Sequence, residues 1–391
     1  MNFCSMGAIP NTIRSIPVVA LIWLSATAGM AQTATSRIVT AANAFVSTLD
    51  VRQRQKVLFA FDDKQQRKRW SNLPTGAVPR GGISLKDMTP AQRAAAMALV
   101  ASALSARGFE KVQQIMEGDE MNKTNERNGP PFGRGRRGPP PGGFGGAPPP
   151  DGFGGGPPPG GPPPPFGRGG NGGQMFGRDL YFISILGRPS EKNPWMLQFG
   201  GHHLALNITI AGERGVLTPT LTGAQPALYT INGKTVRPLG QESDKALALL
   251  NGLDESRRKQ AILNYRVADL VLGPGEDGKT IQPEGLKASN MTAKQRAMLL
   301  DVISEWAGII HESAAAARMA ELRADLDETW FAWSGPTTAE PGHNITAYYR
   351  IQGPHLVIEY APQELGGDPA MHVHTMYRDP TNDYGRKFTG Q

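Results

Sequence analysis

Two stretches of the chain pass from helical to β periodicity in the same order. Met88-Thr89-Pro90-Ala91-Gln92-Arg93-Ala94 and Met291-Thr292-Ala293-Lys294-Gln295-Arg296-Ala297 each open a long run rich in Ala, Leu and Met. In both, Thr stands three residues before Gln, the capping-box spacing that satisfies two orphan backbone donors at a helix start. Pro90 falls in the first helical turn, where its missing N–H costs nothing. Upstream, Leu49-Asp50 followed by Arg54 matches Leu253-Asp254 followed by Arg258. Downstream, Tyr181 to Gly187 and Thr329 to Pro336 read as strands ended by turn formers. Each precedes a strand pair joined at glycine, Met196 to Asn207 and Tyr348 to Glu359.

These correspondences predict an α+β fold with a pseudo-two-fold internal duplication. Each half is a helical unit followed by antiparallel β strands, the strands of both halves joining in one sheet system. The helical phrases are offset by 203 to 204 residues and the hairpins by 152, as loss of an intervening segment from the second copy would produce. At the smaller offset Gly201 aligns with Gly353 and His203 with His355. The predicted organisation is a leader at 1–31, a first helical unit at 32–128, a loop at 129–173 and a first β unit at 174–240. A second helical unit at 241–325 and a second β unit at 326–391 follow.

Composition changes this picture at two places. Residues 129–173 hold 19 Gly and 15 Pro in 45 positions, a low-complexity stretch that cannot pack a core and is expected to be a disordered loop. At the N-terminus, Arg14 precedes the apolar run Val18 to Leu24, and the small residues Ala26, Ala28, Gly29 and Ala31 follow, the layout of an export signal cleaved after Ala28 or Ala31. The apolar run is short for a bilayer span, so no stable transmembrane segment is expected after processing. The sole cysteine, Cys4, would leave with the leader, and with it thiolate ligands and disulfides. Of the net charge of +7, the leader carries one and the Gly/Pro stretch three, leaving an ordinary surface charge on the folded part. No nucleic-acid partner is therefore expected; the Gly/Pro loop is instead a candidate for envelope contact. A secreted or periplasmic location follows.

All seven histidines lie at or beyond residue 202. His311 and His343 read as packing or surface residues. His372-Val373-His374 is a His-x-His pair whose side chains leave one face of a strand, and neutral imidazole is the commonest metal ligand near neutral pH. His203 and His355, just past matched hairpin glycines, complete the candidate ligand set, and His202 stands beside the first. The next residues run Tyr377-Arg378-Asp379-Pro380-Thr381-Asn382-Asp383-Tyr384-Gly385. Asp379 and Asp383 are candidate bases or orienting carboxylates; Arg378, Tyr377, Asn382 and His202 are candidate substrate-binding groups. Glu359 lies four strand residues beyond His355, about 13 Å, too far to share its metal unless the strand bends.

Phe199-Gly200-Gly201-His202-His203-Leu204, Gly353-Pro354-His355-Leu356-Val357-Ile358-Glu359-Tyr360 and the stretch from His372 through Gly385 together resemble a bacterial exported family catalogued as domain of unknown function 3500. The resemblance spans the chain outside the leader and the Gly/Pro stretch and implies no reaction. The residues themselves favour a metal-dependent enzyme, a hydrolase or oxidoreductase using zinc, copper or iron on a small-molecule substrate. The alternatives are a periplasmic or extracellular binding protein for a metal or an anionic small molecule, and an envelope structural protein. Neither a Gly-x-Ser-x-Gly elbow nor a His-Glu-x-x-His helix is present.

Overall fold

Both Thr–Gln phrases start helices. The computed structural model describes Met1 and residues 32–128, 175–365 and 367–388. In it Gln92 N donates to Thr89 Oγ1 while Thr89 N donates to the Gln92 side chain, and Thr292 and Gln295 repeat the arrangement. The same two amides reach the C-terminal ends of earlier helices, Gln92 Nε2 to Thr48 O at 2.8 Å and Gln295 Nε2 to Gly252 O at 2.9 Å. The expected leader and Gly/Pro loop lie outside the described residues, Met1 apart. The elements from Thr33 onward form one unit.

In chain order these are α1 (Ala34–Ser47), α2 (Val51–Val57), β1 (Leu58–Phe59), the short α3 (Lys64–Arg67), β2 (Ile83–Ser84), α4 (Pro90–Ala103) and α5 (Ala106–Asn128). Next come β3 (Phe182–Leu186), β4 (Trp195–Gly201), β5 (Leu204–Ala211), β6 (Arg214–Val216), β7 (Thr220–Ala224), β8 (Tyr229–Ile231) and β9 (Lys234–Val236). The rest are α6 (Gly240–Asn251), α7 (Glu255–Ala261), β10 (Leu286–Lys287), α8 (Ala293–Ala307), α9 (Glu312–Ala324), β11 (Trp330–Ser334), β12 (Tyr348–Gly353), β13 (Leu356–Pro362) and β14 (Val373–Arg378).

Helices pack on a 12-stranded mixed sheet of order β1-β3-β4-β5-β7-β14-β13-β12-β11-β10, with β2 on β3 and β6 on β5. The β1–β3 pair is parallel, so the sheet is not wholly antiparallel as expected; the other pairings in it are antiparallel. At its centre β7 meets β14, with Thr222 opposite Thr375 and Gly223 opposite His374. From that seam the halves run outward in like order, β5-β4-β3-β2 on one side and β13-β12-β11-β10 on the other. The first half adds β1 beside β3, β6 and the separate β8–β9 hairpin.

Alternation decides what each face meets. One face carries Ile183, Leu197, Phe199 and Leu206 under α1, α4 and α5, and Phe331, Trp333, Tyr349 and Ile358 under α6 and α8, two apolar clusters that make the core. The other face is covered by irregular chain. Residues 60–82 lie over the first half, Gln66 Nε2 donating to Ser184 Oγ and Gln198 Oε1 at 3.0 Å each. Residues 262–285 lie over the second, Val267 N donating to Ser334 Oγ at 3.0 Å. Trp70 and Leu270, one from each segment, close over Ala205, Leu221 and Met376 at the seam. Irregular stretches of this length are uncommon in a compact fold and usually carry function.

Candidate metal centre

His203 is the second residue of the two-residue turn between β4 and β5, closed by the Gly201–Leu204 pair. Its φ is 59°, in the left-handed region that a Cβ disfavours by roughly 1–2 kcal/mol. The turn is held by His203 N donating to Asn72 O at 3.2 Å and by Gly223 N donating to His203 O at 2.7 Å. The ring lies over Gly223, where an added Cβ would stand 3.2 Å from His203 Cδ2 and 2.8 Å from Val373 O. The glycine thus clears the space the imidazole fills. His374 sits opposite that glycine on β14, and His372 enters the strand in extended conformation, so both rings leave the irregularly covered face.

The three rings converge. His203 Nε2 lies 3.0 Å from His372 Nε2, which lies 3.1 Å from His374 Nε2. Candidate ligand atoms of all three fall within 4.8 Å of one another, and the residues are buried. Nitrogens bound at ~2.0–2.1 Å around a tetrahedral ion stand roughly 3.3 Å apart, close to what is seen. Proton placement points the same way. His372 Nδ1 is 2.7 Å from Leu365 O, an acceptor only, so Nδ1 carries the proton and Nε2 presents a lone pair. One lone pair cannot satisfy two N–H donors converging on it. Three lone pairs converging on a cation leave no such conflict.

Electrostatics hold two of the rings neutral, the form that ligates. Burial, with repulsion from His202, His372 and His374, drives His203 well below the ordinary histidine range. Burial and His374 lower His372 to about 3. Around the rings stand groups that sequence reading missed. Asp269 Oδ1 is 3.8 Å from His374 Nδ1, and the Asn72 amide is 3.4 Å from the same nitrogen. Desolvation would raise the Asp269 carboxyl, 61% of whose side chain is still exposed, but His374, Leu270 N and Gln363 outweigh it and leave it below the usual range. His202 bonds through Nδ1 to the buried Asp119 at 2.7 Å and packs against His203, with ring centroids 3.7 Å apart and planes tilted by 30°. It buttresses the His203 ring. No periodicity or motif marks Asn72 or Asp269, and nothing near Asp119 in the sequence pairs it with His202.

The remaining candidates lie elsewhere. His355 occupies the hairpin matching that of His203 but lacks its positive φ, and it bonds Thr381 Oγ1 at 2.9 Å with Asp325 at 3.8 Å. It is outside the triad. Asp379 accepts from Thr381 and pairs with Arg318 at 3.1 Å, while Arg318 Nε donates to the Tyr377 hydroxyl. Arg378 was expected at the site's rim. It is instead buried and spent on Leu272 O, Gly273 O, Asp277 and Asp383. Asn382 accepts from Lys387 N. His311 is buried beside Ser313, and His343 pairs with Glu340. Gly273-Pro274-Gly275-Glu276-Asp277-Gly278-Lys279-Thr280 spells a phosphate-loop pattern that sequence reading also missed. It has no helix after it, and Lys279 pairs at the surface with Glu276.

A cleft of about 670 Å³ is lined by residues 262–268, Ser334, Tyr348, Pro362 and Glu364, among others, and by none of the three histidines. Its walls are the chain leading directly into Asp269 and Leu365, the partners of His374 and His372. Residues 31–386 match the profile of one protein family, described as protein of unknown function (DUF3500). No curated protein and no solved structure matches the chain.

Proposed function

From the premise that this chain belongs to the DUF3500 family, whose description assigns no activity, we propose that it is an exported, metal-dependent enzyme. His203, His372 and His374 bind one transition-metal ion, which acts on a small-molecule substrate. The carrying observation is the convergence of three buried Nε2 atoms, one with its lone pair fixed by Leu365 O. Three imidazoles leave a coordination position open, and an ion so held supplies Lewis-acid activation of water or oxygen chemistry according to its identity. The positive φ of His203 supports a functional role over a packing one, because a strained backbone persists where the site requires the side chain. Asp269 serves as the outer partner that sets the His374 tautomer.

The two halves are read as copies of one ancestral unit. The repeated sheet order, the matched two-residue hairpins and the paired Gln92 and Gln295 contacts support this. Only the first copy's hairpin histidine joins the triad. Export rests on the sequence of residues 1–31; among the described residues no helix is long and apolar enough to cross a membrane. N-terminal sequencing of the protein from its native compartment tests that part, a start near Gln32 supporting it and retention of residues 1–31 opposing it. The metal assignment is tested by elemental analysis beside His372→Ala and His374→Ala. One ion per chain lost in both variants is the expected result.

A further inference from the structure

Asn72 and Asp269 come from irregular chain, yet both stand at His374. Each covering segment is gripped by a charged side chain, half-buried in one case and buried in the other. Arg80 Nη2 donates to Ser71 O at 2.8 Å and Leu73 O at 2.6 Å, the carbonyls on either side of Asn72, and to Gly201 O at 3.1 Å in the hairpin that carries His203. On the other side Glu359, with 0% of its surface exposed, accepts Val271 N and Leu272 N at 2.8 Å each and the Tyr348 hydroxyl at 2.7 Å.

Glu359 is the less expected of the two. A buried carboxylate costs several kcal/mol unless well partnered, and an apolar residue of similar size would be the easier choice for a sheet interior. Two of its three bonds go to the backbone of a segment that contributes no strand beside it. At the matching place in the first half, Asn207 bonds Gln198 and Pro219 O instead, and grips no covering segment. The Glu359 contacts begin two residues after Asp269, and Arg378 secures the next carbonyls, Leu272 O and Gly273 O.

Resting on the metal-centre reading, we propose that Glu359 is a positioning residue for that centre: it fixes residues 271–272 so that the Asp269 carboxylate faces Nδ1 of His374. An imidazole that ligates through Nε2 keeps its proton on Nδ1, and a carboxylate facing that proton orients the ring and raises its basicity. Glu359 touches neither ligand nor metal and acts through Asp269 alone.

The test is a double-mutant cycle read by Zn²⁺ affinity in the full chain, with the visible spectrum of the Co²⁺-substituted protein as a second readout. Asp269→Asn lowers affinity about 10–100-fold, the usual loss on removing an outer partner of a ligand histidine. Glu359→Gln keeps the shape but turns an amide N–H₂ toward a backbone donor; it gives a similar loss and a similar Co²⁺ spectral shift. The double variant binds no more weakly than the worse single one. Wild-type affinity in Glu359→Gln, or losses that multiply in the double variant, would overturn the inference while leaving the metal centre standing. A wild-type protein without Zn²⁺ affinity removes both. Should Glu359→Gln fail to fold, Tyr348→Phe takes its place, with a smaller loss that vanishes in the Asp269→Asn background; persistence of that loss there would overturn the inference.

Discussion

Gly223→Ala places one methyl group where sheet and site compete for the same space. The new Cβ stands 2.8 Å from Val373 O and 3.2–3.3 Å from two atoms of His203. Reaching the ~3.5 Å of an ordinary contact requires roughly 0.7 Å of movement from the backbone oxygen. Val373 O belongs to the central β14, so the ring of His203 is the softer neighbour. Overpacking of this kind costs about 1–3 kcal/mol of stability. Metal sites tolerate only ~0.2 Å of error in ligand distance, so displacing His203 by a few tenths of an ångström should lower affinity at least tenfold, about 1.4 kcal/mol. Gly118→Ala in α5 is the control, since its Cβ meets nothing nearer than 3.5 Å. A helix-interior Gly→Ala change should stabilise by ~0.5–1 kcal/mol and leave affinity unchanged. Urea unfolding and competition titration with Zn²⁺ measure both quantities. A Gly223→Ala protein with wild-type stability and wild-type affinity would refute the packing argument.

Relief of backbone strain should make His203→Gly more stable than His203→Ala by about 1 kcal/mol in chemical denaturation, both lacking the ligand; equal stabilities would show that the left-handed turn carries no strain. His355→Ala should keep full metal occupancy, since its ring bonds Thr381 away from the triad, and loss of the ion there would restore it as a ligand. Burial, against the pull of an Arg378 shared with Asp277, raises the Asp383 carboxyl from 3.8 to about 6. The folded state then holds that proton more tightly than the unfolded one, so its stabilisation is present below pH 4 and lost as pH rises through about 6. The loss is about 3 kcal/mol by linkage, and Asp383→Asn should remove that part of the pH dependence; parallel profiles for the two proteins would contradict it.

What could be read from the sequence was local. Thr89, Gln92, Thr292 and Gln295 announce helix starts because a capping box is a contact between residues three apart. The glycine hairpins and the shared face of His372 and His374 follow from strand alternation. Pairing of β7 with β14 carries no such local mark, and it is this seam that brings the β4–β5 turn to the C-terminal strand. Matching His203 with His355 was misleading as geometry, because the pairing of Val357 with Arg378 puts the β12–β13 turn at the far end of β14 from His374, whereas Leu204 lies beside Thr222 and so beside Thr375. Arg378 and Asp383 looked available in a polar run; in the fold Arg378 is consumed holding residues 272–277, and Asp383 is paired with Arg378. Asn72 and Asp269 were invisible because irregular chain has no period to read, although two long aperiodic stretches in matching places were themselves a signal.

The central claim is that His203, His372 and His374 hold a metal ion, and elemental analysis of protein purified from its native compartment tests it most directly. The account predicts one transition-metal ion per chain in the wild type and in His355→Ala, and none in the His372→Ala/His374→Ala double variant. A wild-type protein without metal even after loading, or full occupancy in the double variant, would contradict it.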